Sequence, residues 1–446
     1  MQPDRNQQKA ICYRNGNLLV AAGPGSGKTA VLTARIRYLT EELGVPERNI
    51  LVLTFTRAAA EEMKQRYLGL AERKRTGVLF GTFHSVFLNL LKDTSEFHDL
   101  KITDAEEERI RLQMMMKESY GRHVTAEEAE EILSDFSCLK NGGKPADLQS
   151  VKYHETYEQI CKAEERVNFD DLQVLFFRLL LNEPELLKKY RDRFRYLIVD
   201  EFQDINRIQY EILRLLCGTE GTVFAVGDDD QSIYGFRGSS PEFLKRFRKE
   251  FKHCGCIVLN RNYRSTGTIL ELSQRLIRNN QDRIRKHIRP IRRKGLPADI
   301  RSFASLSEEA RYISGKIMIY EQAAAEAGLG LQSFAVLART NAALEEIRSR
   351  ITPEIAAKIC FKTFHASKGL EFDTVFISHA NDAVTPGKNI RRKDQLEEER
   401  RCFYVAMTRC RTYLHIFYTC GGYNAKSTIS RFVSETMNRW KRLTDG

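Results

Sequence analysis

The chain has no CxxC pair, no apolar leader and no apolar run long enough to cross a membrane. Its ten cysteines are scattered, and without paired spacing they indicate neither a structural zinc site nor an iron–sulfur cluster. The densest group is His253, Cys254 and Cys256. Because no second group of potential metal ligands occurs elsewhere in the sequence, we interpret these residues as the entry to a strand. Cysteines without a disulfide framework are typical of a reducing compartment, and we expect a cytoplasmic protein without a signal peptide.

Acidic residues are outnumbered by basic ones. The 446 residues include 71 Lys and Arg against 59 Asp and Glu, which gives a net charge of +12. A basic surplus of this size favours a polyanionic partner, usually nucleic acid. On charge alone, a soluble protein with extra lysine is an equal alternative. The length exceeds what one compact core usually supports, so two or three domains are expected.

Four short apolar runs that end in polar turns, at 18–21, 50–53, 196–199 and 223–226, predict buried parallel strands separated by helices. Strand-like runs resume at 300–303, 334–337, 374–377 and 413–417 and mark a second α/β domain. The glutamate-rich stretch between the second and third runs has helical periodicity, as at 105–117 and 126–133. We therefore predict an α/β protein with parallel sheets. Its parts are a first α/β domain over 1–90 and 166–262, an all-helical insertion over 91–165, and a second α/β domain over 263–446.

A glycine-rich loop follows the first predicted strand and precedes a helix that is expected to start near Ala30. Glycines let backbone N–H groups approach phosphates, the lysine reaches the outer phosphates, and the threonine hydroxyl suits Mg²⁺. The loop therefore predicts a site for a nucleoside triphosphate and Mg²⁺. Its residues are Ala22, which replaces the usual first glycine, Gly23, Pro24, Gly25, Ser26, Gly27, Lys28 and Thr29.

An acidic pair, Asp200 and Glu201, ends another predicted strand. Asp200 is placed to hold Mg²⁺, and Glu201 can polarise the attacking water as a general base. Acidic residues at strand ends are often only solvated loop residues. Together with Lys28, however, the pair predicts an NTPase that hydrolyses its nucleotide.

Motif-like stretches recur along the chain beyond the loop and the acidic pair, at Gln7, 54–56 with 59–60, 81–84, 169–171, 199–204 with Asn206 and Gln209, 226–238, 262–265, 365–372, 398–401, 404–406 and 408–409. In this order they resemble the motifs of the UvrD/Rep/PcrA family of superfamily 1 helicases. The resemblance spans residues 7 to 409 and implies two RecA-like P-loop domains with parallel sheets.

The resemblance also implies roles at the ATP site. Gln7 is similar to the glutamine that reads adenine, since its amide can both donate and accept. Tyr263 resembles the aromatic that stacks on the base, and Glu371 the residue that contacts the ribose. Gln231 resembles the γ-phosphate sensor that couples hydrolysis to movement. Arg264 and Arg409 resemble arginines of the second domain that neutralise charge developing on the γ-phosphate.

For DNA, the family stacks bases on aromatic side chains, and the resemblance places Phe55, Tyr234 and Phe236 there. Stacking suits a motor because every base has a π-face. The alternative is that these rings belong to the core, which is more credible for Phe55 than for Phe236. The implied DNA-binding set also includes Thr82, His84, Arg237 and Lys368. The basic stretch 283–294 is compatible with phosphate contacts and equally with a solvated loop.

The chain departs from the family at three places. Phe236 stands where the family usually has tryptophan, and the one tryptophan here is Trp440. Ala30 stands where an arginine often follows the loop, so one ribose or base contact is expected to be missing. Only residues 342–362 separate the stretch 339–341 from Thr363, which leaves no room for the inserted domain called 2B.

The resemblance implies an ATP-dependent 3′-to-5′ translocase or helicase acting on single-stranded DNA or on DNA with single-stranded ends. Because the 2B domain touches the duplex in the family, its lack argues against autonomous unwinding. Compact proteins of this layout resemble helicase-like subunits of bacterial defence systems such as Gabija, which act with a nuclease partner. The alternative function is a DNA-end or single-strand sensor, in which ATP turnover switches a bound partner.

Overall fold

The structure, a computed structural model, describes residues 2–94, 97–98, 100, 102–142, 145, 147–164, 166–388, 390, 392–420 and 428–437. The chain divides into two compact units. The first consists of Met1–Ala22 and Lys28–Leu259, and the second of Gly23–Gly27 and Asn260–Gly446. By its packing, the glycine-rich loop therefore belongs to the second unit, although it connects two elements of the first.

The first unit is built on a six-stranded parallel sheet with the order β3-β2-β4-β5-β1-β6. The inner strands are buried almost throughout, as expected for the apolar runs of a parallel sheet. Their carboxyl ends meet at one edge, where such sheets bind ligands. The strands are β1 (Leu18–Ala22), β2 (Ile50–Thr54), β3 (Leu79–Thr82), β4 (Tyr196–Val199), β5 (Thr222–Gly227) and β6 (Gly255–Leu259).

Helices surround this sheet and continue into the glutamate-rich stretch. They are α1 (Arg5–Ile11), α2 (Lys28–Arg37), α3 (Arg57–Leu70), α4 (Phe83–Lys92), α5 (Ala105–Tyr120), α6 (Ala126–Lys140), α7 (Gln149–Ala163), α8 (Phe169–Asn182), α9 (Pro184–Arg193), α10 (Arg207–Cys217) and α11 (Glu242–Glu250). Short 3₁₀ turns cover Phe202–Asp204, Asp229–Gln231 and Gly235–Arg237.

Helices α5, α6 and α7 share a small apolar core of their own. Met116, Phe136 and Tyr157 are buried within it. Asp104 and Thr125 begin α5 and α6, because each side chain accepts a backbone N–H of the first turn. These helices contain both segments for which helical periodicity was predicted.

The second unit contains a five-stranded parallel sheet with the order β11-β10-β12-β13-β9, while the short strands β7 and β8 pair separately. Its core includes Val336, Phe376 and Phe417 from the sheet and Ile313 from a helix. The elements are β7 (Arg261–Asn262), α12 (Gly267–Ile277), β8 (Arg289–Pro290), β9 (Asp299–Phe303), α13 (Leu306–Glu326), β10 (Phe334–Ala338), α14 (Asn341–Arg348), α15 (Pro353–Ala356), β11 (Ile359–Thr363), β12 (Phe372–Ile377), α16 (Lys393–Thr408), β13 (Cys410–Thr419) and α17 (Arg431–Thr436).

The predicted fold class, α/β with parallel sheets, is confirmed, and every run predicted as a strand lies within one. Between Asn341 and Thr363 the described chain forms α14, α15 and β11 and has no further domain. The first unit ends at Leu259, and the predicted domain borders, among them the one at 262, remain a proposal. The treatment of 91–165 as a separate insertion remains a proposal.

No helix among the described residues combines the length and the apolar character that a bilayer crossing requires.

Candidate functional site

The glycine-rich loop joins the buried strand β1 to α2. Its backbone is left-handed at Gly25 (φ 61°) and Gly27 (φ 80°), a conformation that favours glycine. Ser26 is buried, and its hydroxyl donates to the carbonyl of Gly23 at 2.8 Å. Because Lys28 opens α2, the loop turns directly into a helix N-terminus, which favours phosphate binding.

Within the second unit, residues 262–264 pack against this loop. The side-chain nitrogen of Asn262 donates to the carbonyl of Pro24 at 2.7 Å, and the N–H of Tyr263 donates to the carbonyl of Gly25 at 2.8 Å. A Cβ on Gly25 would lie 2.5 Å from the Cβ of Arg264, so the close approach requires glycine. No role of its own was predicted for Asn262, yet its side chain bonds the loop through the carbonyl of Pro24.

Lys28 lies among carboxylates of the first unit. Its Nζ is 3.0 Å from Oε1 and 3.1 Å from Oε2 of Glu201. Burial alone would lower the pKa of Lys28, but the carboxylates of Glu201, Asp200 and Asp228 outweigh burial, and the pKa lies above its ordinary value. Lys28 therefore stays protonated near neutral pH. Phosphate oxygens would compete with the carboxylate of Glu201 for its ammonium group.

Glu201 has an uncommon backbone conformation. Its φ of 49° and ψ of 43° are left-handed, which is rare for a residue with a side chain. The buried Gln203 donates through Nε2 to Oε2 of Glu201. Oε1 of Gln203 accepts the N–H of Asp228 at 2.8 Å. Gln203 therefore ties the predicted general base to the residue that follows β5.

Asp228 continues this connection to Gln231. Nε2 of Gln231 donates to Oδ2 of Asp228 at 2.6 Å, and the two backbones are joined by a 2.8 Å hydrogen bond. Both residues are buried. The result is a continuous polar relay, made of Lys28, Glu201, Gln203, Asp228 and Gln231. Sequence reasoning missed Gln203 and Asp228 as members, although both stand inside the matched motifs.

Oxygen donors suited to Mg²⁺ lie close to Lys28. Asp200 is buried, and its Oδ1 accepts the N–H of Glu201 at 2.9 Å. Carboxylate oxygens of the stretch 228–230 lie within 4.8 Å of one another. The raised pKa of Lys28 reflects this negative charge, and carboxylate and hydroxyl oxygens are ligands that Mg²⁺ prefers. The carboxylate of Asp200 is therefore a suitable ligand for the predicted Mg²⁺. The second predicted ligand, Thr29, lies in the first turn of α2.

Gln7 is buried in α1 and takes part in a capping box. Its Oε1 accepts the N–H of Asp4 at 2.8 Å, and Oδ1 of Asp4 accepts the N–H of Gln7 at 2.9 Å. The structure thus gives Gln7 a helix-capping contact. Its contact with adenine stays a prediction.

Glu371 lies between two arginines of the second unit. Nε of Arg264 donates to its Oε2 at 2.5 Å, and Arg411 donates to its Oε1. Burial raises the pKa of Glu371, but Arg264 and Arg411 outweigh burial and hold the pKa below its ordinary value. The predicted ribose contact of Glu371 and the predicted phosphate contact of Arg264 remain proposals.

Arg409 is only 2% exposed and bonds the end of its own helix. Its guanidinium donates to the carbonyls of Val405 at 2.9 Å and Leu370 at 3.3 Å, and to the hydroxyl of Thr408 at 3.2 Å. These contacts give Arg409 a structural role, and its predicted contact with the γ-phosphate remains a proposal. We therefore expect substitutions of Arg409 to disturb both the end of α16 and the loop at Leu370.

Three of the predicted DNA-binding rings lie together in the first unit. Phe55 stacks on Tyr234 with ring centroids 4.7 Å apart, and Tyr234 meets Phe236 edge-on at 5.9 Å. Arg237 lies over both Tyr234 and Phe236. Phe236 is 41% exposed, so it is not a core residue, whereas Phe55 and Tyr234 are half-buried. We call this group the aromatic platform (Phe55, Tyr234, Phe236).

Thr82 and His84 lie at the start of α4. The hydroxyl of Thr82 accepts the N–H of Ser85 at 3.2 Å and so caps the helix. His84 is half-buried, with its Nε2 2.9 Å from Nε2 of Gln173. In the second unit, Lys368 is half-buried in the turn after β11. Their contacts with DNA stay predictions.

The remaining sequence observations have mixed outcomes. The interpretation of 253–256 as the entry to a strand is confirmed, since β6 begins at Gly255. In the basic stretch, Arg292 donates to the carbonyls of Arg264 and Arg411 and so has a structural contact. Trp440 lies outside the described residues.

Comparison with known proteins identifies related chains. A family model described as UvrD/REP helicase N-terminal domain matches residues 4–252, and one described as UvrD-like helicase C-terminal domain matches 257–355 and 349–421. DNA helicase II of Escherichia coli (strain K12) is 34% identical over 98% of this chain and 63% of its own length. ATP-dependent DNA helicase PcrA of Staphylococcus aureus (strain Mu50) is 33% identical over 79% of this chain and 49% of its own length. The chain therefore spans about half to three fifths of the length of these curated relatives.

Proposed function

The chain belongs to the UvrD/REP helicase family, and on that premise we propose that it hydrolyses ATP to move along single-stranded DNA. One observation supports this proposal above the others, namely the largely buried polar relay that begins at Lys28 and ends at Gln231. A relay of this kind connects a phosphate-binding cation and a general base to the residue expected to sense the γ-phosphate.

In this proposal, the loop at residues 23–27 and Lys28 hold the phosphates of ATP, and Glu201 takes the proton of the attacking water. Phosphates that draw the ammonium of Lys28 away take a cation from the carboxylate of Glu201, which strengthens Glu201 as a base. Mg²⁺, held by Asp200 and Thr29, would supply charge neutralisation at the phosphates. Arg264 and Arg409 supply further positive charge.

The relay also suggests how hydrolysis reaches DNA. Gln231 ends one short 3₁₀ turn, and the next turn, Gly235–Arg237, carries Phe236 of the aromatic platform. A shift of Gln231 on loss of the γ-phosphate would therefore move the base-stacking rings through a short stretch of backbone. The 3′-to-5′ direction of movement is taken from the resemblance.

We further propose that this chain unwinds long duplexes poorly by itself. Separation of a duplex requires an element that destabilises the junction, and residues 342–362 are taken up by α14, α15 and β11. A protein partner, such as a nuclease, would supply that element. The second candidate function is a sensor that hydrolyses ATP without moving along DNA. It would use the same relay as the motor and would differ from it only in the lack of translocation.

ATPase assays on the purified chain test the proposal. We expect turnover to rise on addition of oligo(dT), and this stimulation to weaken steeply between 50 and 200 mM salt because phosphate contacts release counterions. The Lys28→Ala variant is the control for contaminating ATPases. If single-stranded DNA does not change the ATPase rate at any salt concentration, the chain is neither a DNA-driven motor nor a single-strand sensor.

A further inference from the structure

A chain of side-chain amides in the first unit ends on His84. Nε2 of Gln173 lies 2.9 Å from Nε2 of His84, and Oε1 of Gln173 accepts from Nδ2 of Asn206 at 3.1 Å. Gln173 is 0% exposed and Asn206 6% exposed. Buried amides are therefore committed to each other and to the imidazole, and water does not compete for them.

Backbone groups determine the direction of every bond in this chain. The N–H of Gln209 donates to Oδ1 of Asn206 at 2.9 Å, so Nδ2 is the donor end of Asn206. Asn141 donates through Nδ2 to the carbonyl of Ser137 at 2.9 Å, and its Oδ1 accepts from Asn206 at 2.8 Å. A backbone N–H can only donate and a carbonyl can only accept. If the amide oxygen and nitrogen of either asparagine were exchanged, two donors or two acceptors would face each other.

This direction determines where His84 carries its proton. Gln173 accepts from Asn206 through Oε1, so it must donate to His84 through Nε2. Nε2 of His84 is then an acceptor, and a neutral ring with that acceptor carries its proton on Nδ1. Burial lowers the pKa of His84; Asp170 opposes this effect, Arg237 adds to it, and the net direction is downward. The ring is therefore neutral near pH 7.

We propose that Gln173 is a positioning residue that holds His84 in the Nδ1–H tautomer, so that the ring presents an N–H donor to a phosphate oxygen of single-stranded DNA. The inference rests on the DNA contact of His84 within the proposed function. His84 is half-buried, and Nδ1 makes no hydrogen bond to any residue that the structure describes. A donor aimed at the phosphate backbone positions a strand without reading its sequence.

The tautomer itself is the first test, read by ¹⁵N NMR on the full chain labelled at histidine, with His84→Gln to assign the resonances. At pH 7 we expect a protonated Nδ1 and an unprotonated Nε2. Gln173→Glu keeps the side-chain size but replaces the donor with an acceptor, so we expect the proton to move to Nε2. In Gln173→Leu, which removes the amide, we expect a mixture of tautomers. A proton on Nε2 in the unchanged protein, or an Nε2 that stays unprotonated in Gln173→Glu, overturns the inference.

Binding to fluorescein-labelled oligo(dT) separates this inference from the proposed function. We expect Gln173→Glu and His84→Ala each to weaken binding about tenfold, the worth of one hydrogen bond to a charged group. We expect the double variant to bind no more weakly than His84→Ala, because both changes remove the same contact. A double variant that is much weaker assigns the effect of Gln173→Glu to its added charge and overturns the positioning role.

Two further outcomes are distinct. Full affinity in Gln173→Glu beside a loss in His84→Ala overturns the positioning role and leaves the proposed function standing. Full affinity in His84→Ala removes the DNA contact of His84, and the inference falls with it. Thermal melts of each variant show whether the chain has folded before binding is compared.

Discussion

In the first unit, Nζ of Lys28 lies 3.0 Å from Oε1 of Glu201, and the two side chains are only 14% and 22% exposed. The cation expected to bind phosphate and the carboxylate expected to act as base therefore neutralise each other. Removal of one partner leaves the other as a poorly solvated charge. We expect ATP, which brings its own negative charge, to compete with Glu201 for Lys28.

Glu201→Gln should bind ATP at least as tightly as the unchanged protein, because it removes the anion that competes for Lys28. Hydrolysis should fall by about 10²- to 10⁴-fold, the usual contribution of a general base. Titration with a fluorescent ATP analogue and phosphate-release kinetics measure the two effects. Glu220→Gln, at an exposed carboxylate of the same unit, is the matched control. Near-normal turnover in Glu201→Gln would exclude Glu201 as the base.

Arg264 and Arg411 offer a matched pair, because both bond Glu371. If Arg264 acts on the γ-phosphate, Arg264→Ala should bind ATP but lose about 10³- to 10⁵-fold in turnover, as for an arginine finger. Arg411→Ala should keep most of its turnover. Steady-state ATPase rates with oligo(dT) give the comparison. Equal losses in the two variants would mean that only the pairing with Glu371 matters.

Phe236→Ala removes the exposed ring of the aromatic platform. Binding of oligo(dT) should weaken by roughly 1–3 kcal/mol, the worth of one stacked base. Fluorescence anisotropy measures the affinity, and Leu181→Ala, at another exposed apolar residue of the first unit, controls for surface truncation. An affinity equal to that of Leu181→Ala would show that no base stacks on Phe236.

The buried His415 should make the stability of the protein depend on pH. It is 2% exposed, with Nδ1 3.2 Å from Oδ2 of Asp299 and Nε2 3.0 Å from the hydroxyl of Tyr320. Burial lowers the pKa of His415 to about 4. Between about pH 6.5, the value of an unfolded histidine, and about pH 4, the unfolded chain holds a proton that the folded chain lacks. The free energy of unfolding should therefore fall as the pH falls, by up to roughly 3 kcal/mol.

Urea unfolding at pH 7 and pH 4.5 measures this effect. The difference in unfolding free energy between the unchanged protein and His415→Asn should shrink at the lower pH, because the variant has no imidazole to protonate. His287→Asn, at an exposed histidine of the same unit, should show no such change. A difference that is the same at both pH values would contradict a neutral, buried His415.

Burial explains which strands the sequence could predict. The inner strands are apolar throughout because both faces of each are covered, and a run such as 196–199 stands out for that reason. The strands β3 and β11, which were not predicted, lie at the edges of their sheets and are only partly buried. An edge strand needs no continuous apolar run, so composition gave no signal for these two, whereas β9 was predicted from the stretch 300–303 although it also lies at an edge and is only partly buried.

The candidate site divides in a similar way. The loop at Lys28 and the pair at Asp200 are local in the chain, so spacing alone could predict them. Pairings such as Gln203 with Asp228, or Gln173 with His84, join residues that are far apart in sequence. No sequence pattern indicates which residue an amide side chain will bond. These groups come together only in the folded structure.

Movement along a single strand is measured most directly by displacement of streptavidin from biotinylated oligonucleotides by the purified chain. With biotin at the 5′ end we expect rapid, ATP-dependent displacement, and with biotin at the 3′ end little, since the motor is proposed to move 3′-to-5′. Lys28→Ala should displace streptavidin from neither end. ATP hydrolysis that is stimulated by the same oligonucleotides, without displacement from either end, would contradict the motor and favour the sensor.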